Sequence, residues 1–185
     1  SMVHKINPNA VILATGARPL IPNIQGVNGK NVVNAWDVLS GKVQVGEEIL
    51  VAGGGEVGCE TAEFLAEKGK SITIVEMLND VALDAEPITR ELLLKRLGEK
   101  KVKILTSNVI LEIIEGSVSI FDIKNSRRKI IKAEDVVLSL GAKADDKLFK
   151  ELKGEVEELY MIGDCVKPRR IIDAIYEGFH VGREI

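Results

Sequence analysis

Short apolar runs alternate with longer amphipathic segments along the chain, and this alternation indicates an α/β protein. Compact runs at residues 10–14, 49–52 and 71–75 are typical of strands buried on both faces of a parallel sheet. Between the last two runs, residues 56–68 carry apolar side chains at helical spacing, and Gly69 is a suitable helix stop. The pattern therefore predicts a β-α-β unit.

The rest of the chain continues this alternation. Residues 18–42 are rich in Pro, Asn and Gly and are predicted to form a connection with one short helical turn. Further predicted elements are a helix at 87–97, a strand at 101–105, an antiparallel meander within 109–131, strands at 135–140 and 159–162, and a closing helix at 171–184. The expected fold is a Rossmann-like parallel sheet with a β-meander.

A glycine cluster follows the strand at 49–52. Gly53, Gly55 and Gly58 form a G-x-G-x-x-G motif between a predicted strand and a predicted helix, where dinucleotide-binding proteins have it. The first glycine permits a tight turn, the second lets a pyrophosphate approach, and the third allows close packing of helix and strand. Amides at the helix N-terminus then stabilise the phosphate charge. We predict that the whole turn contacts cofactor, with Gly54, Glu56 and Val57 included.

Glu76 ends the next strand, at about the twenty-residue distance from the motif that a ribose-binding acid requires. Its carboxylate can accept hydrogen bonds from the ribose hydroxyls and would repel a 2′-phosphate, so NAD(H) is favoured over NADP(H). Two alternatives stay open at this point. The turn could bind another adenosine ligand, such as FAD or S-adenosylmethionine, or it could be a tight turn without a ligand.

Composition narrows the choice of partners. The chain of 185 residues has a net charge of −3, with 45% hydrophobic and 29% charged residues, so neither nucleic acid nor a membrane is an expected partner. With no recognisable secretion signal, a cytoplasmic protein is expected. Cys59 and Cys165 are far apart in sequence and are predicted to be unpaired thiols. No metal site is predicted.

Two flanking motifs carry a family resemblance. Residues 14–22, Ala-Thr-Gly-Ala-Arg-Pro-Leu-Ile-Pro, resemble the A-T-G-x-x-x-x-x-P segment of flavoproteins with two dinucleotide-binding domains. Residues 160–164, Tyr-Met-Ile-Gly-Asp, resemble the motif in which those proteins bind FAD through an aspartate. The chain is thus similar to the C-terminal FAD/NAD(P)-binding region of the pyridine nucleotide-disulfide oxidoreductase superfamily. Residues 58–62 and 163–174 most resemble old yellow enzyme-type fusions such as 2,4-dienoyl-CoA reductase, 2-enoate reductase and NADH:flavin oxidoreductase.

The resemblance implies a domain division and further contacts. It implies that 1–44 and 146–185 flank an NAD(H)-binding domain at 45–145 and are pieces of an incomplete FAD domain. It assigns Asp164 to FAD, and Glu60 and Gly141 to the neighbourhood of the nicotinamide. Glu60 could equally be a surface acid. No catalytic residue is predicted, because the flavin performs the chemistry.

The first FAD-binding glycine motif and a redox cysteine pair are both absent from the sequence. The resemblance therefore implies a longer natural protein, with FMN and an iron–sulfur cluster in an N-terminal portion that reduces an enoate or enoyl-CoA. The chain alone is expected to bind NAD(H), to hold only part of an FAD site and to be inactive. Alternatives are a non-catalytic nucleotide-binding or docking module and a fragment of a disulfide reductase or NADH oxidase. Unpaired strand edges also predict a homodimer.

Overall fold

The computed structural model describes residues 2–185, without the side chain of Met2. The chain folds into two compact units. Ile21–Leu140 form one unit, and the chain up to Leu20 forms the other together with Gly141–Ile185. The division into an NAD(H)-binding domain at 45–145 and FAD-domain segments at 1–44 and 146–185 stays a prediction.

The elements follow in chain order. They are α1 (Met2–Ile6), β1 (Ala10–Leu13), β2 (Ala17–Pro19), β3 (Val32–Asn34), α2 (Ala35–Leu39), β4 (Glu48–Ala52), α3 (Glu56–Glu67), β5 (Ser71–Val75), α4 (Pro87–Glu99), β6 (Lys103–Leu105), β7 (Asn108–Ile114), β8 (Ser117–Asp122), β9 (Arg127–Lys132), β10 (Asp135–Leu138), β11 (Ala142–Ala144), α5 (Lys147–Leu152), β12 (Glu158–Met161), a 3₁₀ turn (Gly163–Cys165) and α6 (Ile171–Glu184).

A five-stranded parallel sheet forms the centre of the unit Ile21–Leu140. Its strand order is β3-β10-β4-β5-β6, and every neighbouring pair is parallel. Successive side chains of a strand point to opposite faces, so the apolar strand β4 serves two cores. Val51 packs with Cys59 and Leu65 of α3, whereas Leu50 packs with Ile120 of the meander. The sheet is thus covered by helices on one face and by β7–β9 on the other.

The three-stranded meander β7-β8-β9 is antiparallel throughout. Strand β8 alternates between partly exposed and buried side chains, and Val118 and Ile120 are fully buried. A register shift between Ile110 and Glu112 marks a bulge in β7. The turn into β9 is closed by Asp122, whose carboxylate accepts hydrogen bonds from the backbone and side chain of Asn125.

The second unit contains two small sheets. Strand β1 pairs with β12 in parallel, and β2 pairs with β11 in antiparallel orientation. Helix α6 has no buried residue, and its large apolar side chains Ile175 and Phe179 are each 60% exposed. Among residues 2–185, no helix combines the length and apolarity needed to cross a membrane.

The predicted α/β fold with a parallel sheet is confirmed, and the predicted α3, α4, meander and α6 are all present. Strand β6 begins at Lys103 instead of residue 101, because Lys101 adopts a left-handed φ of 57° that a strand does not accommodate. Strands β2, β3 and β11 were missed. Each has only three residues, too few for a periodic pattern to be visible in the sequence.

Candidate dinucleotide-binding site

The glycine turn connects the C-terminal end of β4 to the N-terminus of α3. Gly53 has a φ of 100°, which only glycine adopts without strain, and its amide donates to the Val75 carbonyl at 3.0 Å. A Cβ atom on Gly53 would lie 2.3 Å from the Ser139 carbonyl oxygen. The first glycine is therefore required both by its conformation and by close approach of the backbone.

The third glycine sets the packing of helix against strand. A Cβ atom on Gly58 would lie 2.1 Å from the Gly53 carbonyl oxygen, well inside any ordinary contact distance. Gly55 is different, because the atoms nearest to a Cβ atom there belong to the Asp84 carboxylate, at 3.3 Å or more. The three positions thus have the separate roles that dinucleotide binding requires: a tight turn, an approachable backbone and close packing.

Glu76 follows β5 directly, and its half-buried carboxylate is fixed by backbone amides. The Gly54 amide donates to Glu76 Oε2 at 2.6 Å, and the Leu78 amide donates to Oε1 at 2.7 Å. The Glu76 amide itself donates to the Leu105 carbonyl at 2.9 Å. The acid predicted from its spacing is therefore bonded to the glycine turn and held in one orientation, with lone pairs left over for ligand hydroxyl groups.

The first turn of α3 receives a second carboxylate that the sequence did not indicate. The Glu56 amide donates to Asp84 Oδ1 at 2.8 Å. Asp84 lies outside every motif, in the connection between β5 and α4. Only the folding of that connection over the glycine turn brings it to the helix.

The exposed face of α3 is acidic. The pKa of Glu60 is raised, first by partial burial and then by the negative charges of Glu56 and Glu63. Arg96, which is paired with Glu63, opposes this shift, and a raised pKa of this kind occurs both at functional sites and in structural charge networks. Glu60 itself is exposed on the second turn of the helix. The geometry of the described residues thus leaves both interpretations of Glu60 open.

Both cysteines are buried free thiols, as predicted. Burial raises the pKa of Cys59 to about 12, and the charge of Asp84 contributes to this shift. The Cys165 sulfur lies within hydrogen-bonding distance of the carbonyl oxygens of Leu13 and Ile162, and its single proton can be donated to either. Across residues 2–185, no group of three or more His, Cys, Asp or Glu side chains could hold a metal ion.

The second unit contains the predicted FAD contact. Gly163 has a φ of 69°, and its amide donates to the Glu177 carboxylate at 2.7 Å. Asp164 Oδ1 accepts the Arg169 amide at 3.1 Å. Gly141 lies in this unit too, three residues beyond the end of β10, and its carbonyl accepts the Leu20 amide. The structure thus brings 53–58 and Glu76 together, whereas Gly141 and Asp164 belong to the other unit.

A parallel sheet, a glycine turn at the carboxyl end of its central strand and an acid on the adjacent strand define an NAD(P)-binding α/β protein. The sequence matches the pyridine nucleotide-disulphide oxidoreductase family over residues 2–178. The chain belongs to this family of flavoprotein oxidoreductases, which implies binding of NAD(P)H and FAD.

Individual relatives are similar over nearly the whole chain. An NADH oxidase from Thermoanaerobacter brockii is 42% identical over 99% of the chain, and a cinnamate reductase from Clostridium sporogenes is 31% identical over 99%. The solved structure of a 2-naphthoyl-CoA reductase in complex with 2-naphthoyl-CoA aligns with a TM-score of 0.94 at 32% identity, over 99% of this chain. The chain spans only 29%, 27% and 28% of these three proteins, respectively.

Proposed function

We propose that this chain is the NADH-binding part of a flavin-dependent oxidoreductase in which a hydride passes from NADH to FAD. The observation that carries the proposal is the Glu76 carboxylate, held beside the glycine turn by the amides of Gly54 and Leu78. A carboxylate fixed in this place accepts hydrogen bonds from ribose hydroxyls. Its charge repels the 2′-phosphate of NADPH, so the site is expected to prefer NADH.

The other residues of the turn act by shape and backbone polarity. Gly53 and Gly58 keep β4 and α3 close together, and Gly55 adds no side chain of its own at the N-terminus of α3, where a pyrophosphate would bind. Glu60 is assigned to the nicotinamide end of the site. None of these side chains has to act as acid, base or nucleophile, because NADH supplies the hydride and flavin accepts it. We therefore assign no catalytic residue.

We further propose that FAD binding is shared with a portion of the parent protein outside this chain. Asp164 and the turn at Gly163 would supply one part of the FAD site. FMN and an iron–sulfur cluster in the remaining portion would then reduce an enoate or enoyl-CoA in the cytoplasm. The name of one relative, a cinnamate reductase, supports an enoate, and the name of another, a 2-naphthoyl-CoA reductase, supports a conjugated CoA thioester.

Helix α6 has an exposed apolar face. Because apolar side chains are usually removed from water, this face favours a partner that covers it. The face is formed by Ile171, Ile172, Ile175, Tyr176 and Phe179. We propose that the remaining portion of the parent protein covers it. In its absence, we expect copies of the chain to associate through the outer edges of the β1–β12 pair, which have no strand partner among the described residues. Light scattering that finds only a monomer at working concentration would count against this association.

An NADH oxidase is the second candidate function, favoured by the 42% identical relative of that name. A disulfide reductase and a docking module without catalysis remain further alternatives. Adding the parent protein's remaining portion separates the main proposal from the oxidase and from the docking module. Reduction of an enoate at the expense of NADH supports the main proposal, whereas consumption of oxygen alone supports an oxidase. Binding of NADH with no flavin reduction supports a docking module.

The primary test is titration of the chain with NADH and with NADPH, followed by nicotinamide fluorescence. The wild-type chain should bind NADH more tightly, and Glu76→Ala should remove that preference. Glu115→Ala, in the exposed β7–β8 turn, removes one acid far from any motif and serves as the matched control. Equal binding of the two nucleotides by the wild-type chain, or a preference that survives in Glu76→Ala, would contradict the assignment.

A further inference from the structure

A carboxylate already occupies the N-terminus of α3, where the proposed function places the dinucleotide pyrophosphate. Asp84 Oδ1 accepts the Glu56 amide at 2.8 Å. Asp84 Oδ1 and Oδ2 lie 3.5 Å and 3.3 Å from the position that a Cβ atom on Gly55 would take. The Asp84 carboxylate therefore lies on the side of Gly55 from which its Cβ atom is missing, next to the first amide of α3.

The segment that carries Asp84 is fixed against the glycine turn. The Ala82 amide donates to the Gly54 carbonyl at 2.6 Å, and Ala82 is fully buried. Its φ of 50° is unfavourable for an alanine, so the surrounding contacts impose this conformation. Val81 is buried beside Gly54, at 2.6 Å from where a Cβ atom on that glycine would lie. Asp84 is thus held at the helix by its neighbours in sequence.

The charge of Asp84 affects the pKa values of groups around the turn. It raises the pKa of Cys59, after burial, and it adds to the raised pKa of Glu60. A carboxylate at a helix N-terminus interacts favourably with the helix dipole, so the chain without ligand gains from this contact. An incoming pyrophosphate must share the same dipole and approach a like charge.

We infer that Asp84 is an internal anion that competes with the dinucleotide pyrophosphate for the N-terminus of α3 and thereby sets a weaker affinity for NADH. The inference rests on the proposed function and deepens it. Asp84 is an affinity-determining residue, and it has no part in hydride transfer. Because of this competition, the nucleotide should be released more easily than the glycine turn and Glu76 alone would allow.

Asp84→Asn tests the inference directly. An asparagine oxygen can still accept the Glu56 amide, so the variant removes the charge and retains the cap. We expect Asp84→Asn to bind NADH about tenfold more tightly, the effect of removing one like-charge repulsion in a partly screened site. Adenosine, which has no phosphate, should bind both proteins equally in calorimetric titrations. The variant should also have a slightly lower melting temperature without ligand, because a charge–dipole interaction is lost.

The control is Glu91→Gln, which removes one exposed acid from α4 and should leave the affinity for NADH unchanged within about twofold. Unchanged or weaker NADH binding by Asp84→Asn would overturn the inference, as would equal tightening for adenosine. The Glu76→Ala titration distinguishes failure of the role of Asp84 from failure of the proposed nucleotide site. If Glu76→Ala still abolishes the nucleotide preference, only the role of Asp84 fails; if it does not, the proposed site fails as well.

Discussion

Glycine-to-alanine substitution should have opposite effects at two helical positions of this chain. Alanine normally stabilises a helix by about 0.5–1 kcal/mol relative to glycine, because it loses less backbone entropy on folding. Gly98 lies in α4, where a Cβ atom would meet nothing within 4 Å. Gly98→Ala is therefore expected to raise the free energy of unfolding by about that amount.

Gly58→Ala should do the reverse. Its Cβ atom would lie 2.1 Å from the Gly53 carbonyl oxygen, whereas real Cβ atoms essentially never approach closer than 3.0 Å. Helix α3 must therefore move away from β4 by roughly 1 Å, which forfeits about a quarter to a half of the dispersion energy of its facing contacts. Buried Cys59, Ala62 and Leu65 all lie on this helix. Overpacking of this kind costs about 1–3 kcal/mol, more than the helical gain.

Urea unfolding of the wild type and both variants measures the difference. The midpoint should rise for Gly98→Ala and fall for Gly58→Ala, and only Gly58→Ala should weaken NADH binding, because it widens the glycine turn. A Gly58→Ala protein as stable as the wild type, with unchanged affinity for NADH, would show that helix and strand are not in the close contact described.

Two further predictions concern ionisation. Burial raises the pKa of Cys59 to about 12, so the thiol stays protonated at about pH 8. Mass spectrometry should therefore show that iodoacetamide alkylates Cys59 much more slowly in the folded protein than in the protein unfolded in urea. Equal rates in the two states would contradict this prediction. The pKa of Asp122 is lowered, first by its bond to Lys129 and then by Asn125. A carboxylate with a lowered folded pKa contributes stability that is complete above its unfolded pKa of about 3.9, and this stability is lost as the pH falls from there toward the folded pKa. As the pH is lowered from about 5 to about 2, the urea midpoint should therefore fall less in Asp122→Asn than in the wild type, and an unchanged dependence would refute the assignment.

The sequence by itself determined the elements whose physical requirements are local. A buried parallel strand needs a short apolar run, an amphipathic helix needs apolar residues at helical spacing, and a tight strand–helix turn needs glycine. For this reason β4, α3 and β5 were predicted nearly to the residue. Glu76 could be predicted as the ribose-binding acid for a similar local reason, because in a β-α-β unit the length of the helix sets where the second strand ends.

Only the tertiary structure decided what surrounds that site. The contact between Asp84 and Glu56 joins residues 28 positions apart, and no repeat or spacing marks it. The short strand β3 is defined by its pairing with β10, which is distant in sequence, and not by a pattern of its own. Long-range contacts of this kind depend on how the connections fold back over the sheet. That choice is made by packing of the whole unit, so it left no local signal in the sequence.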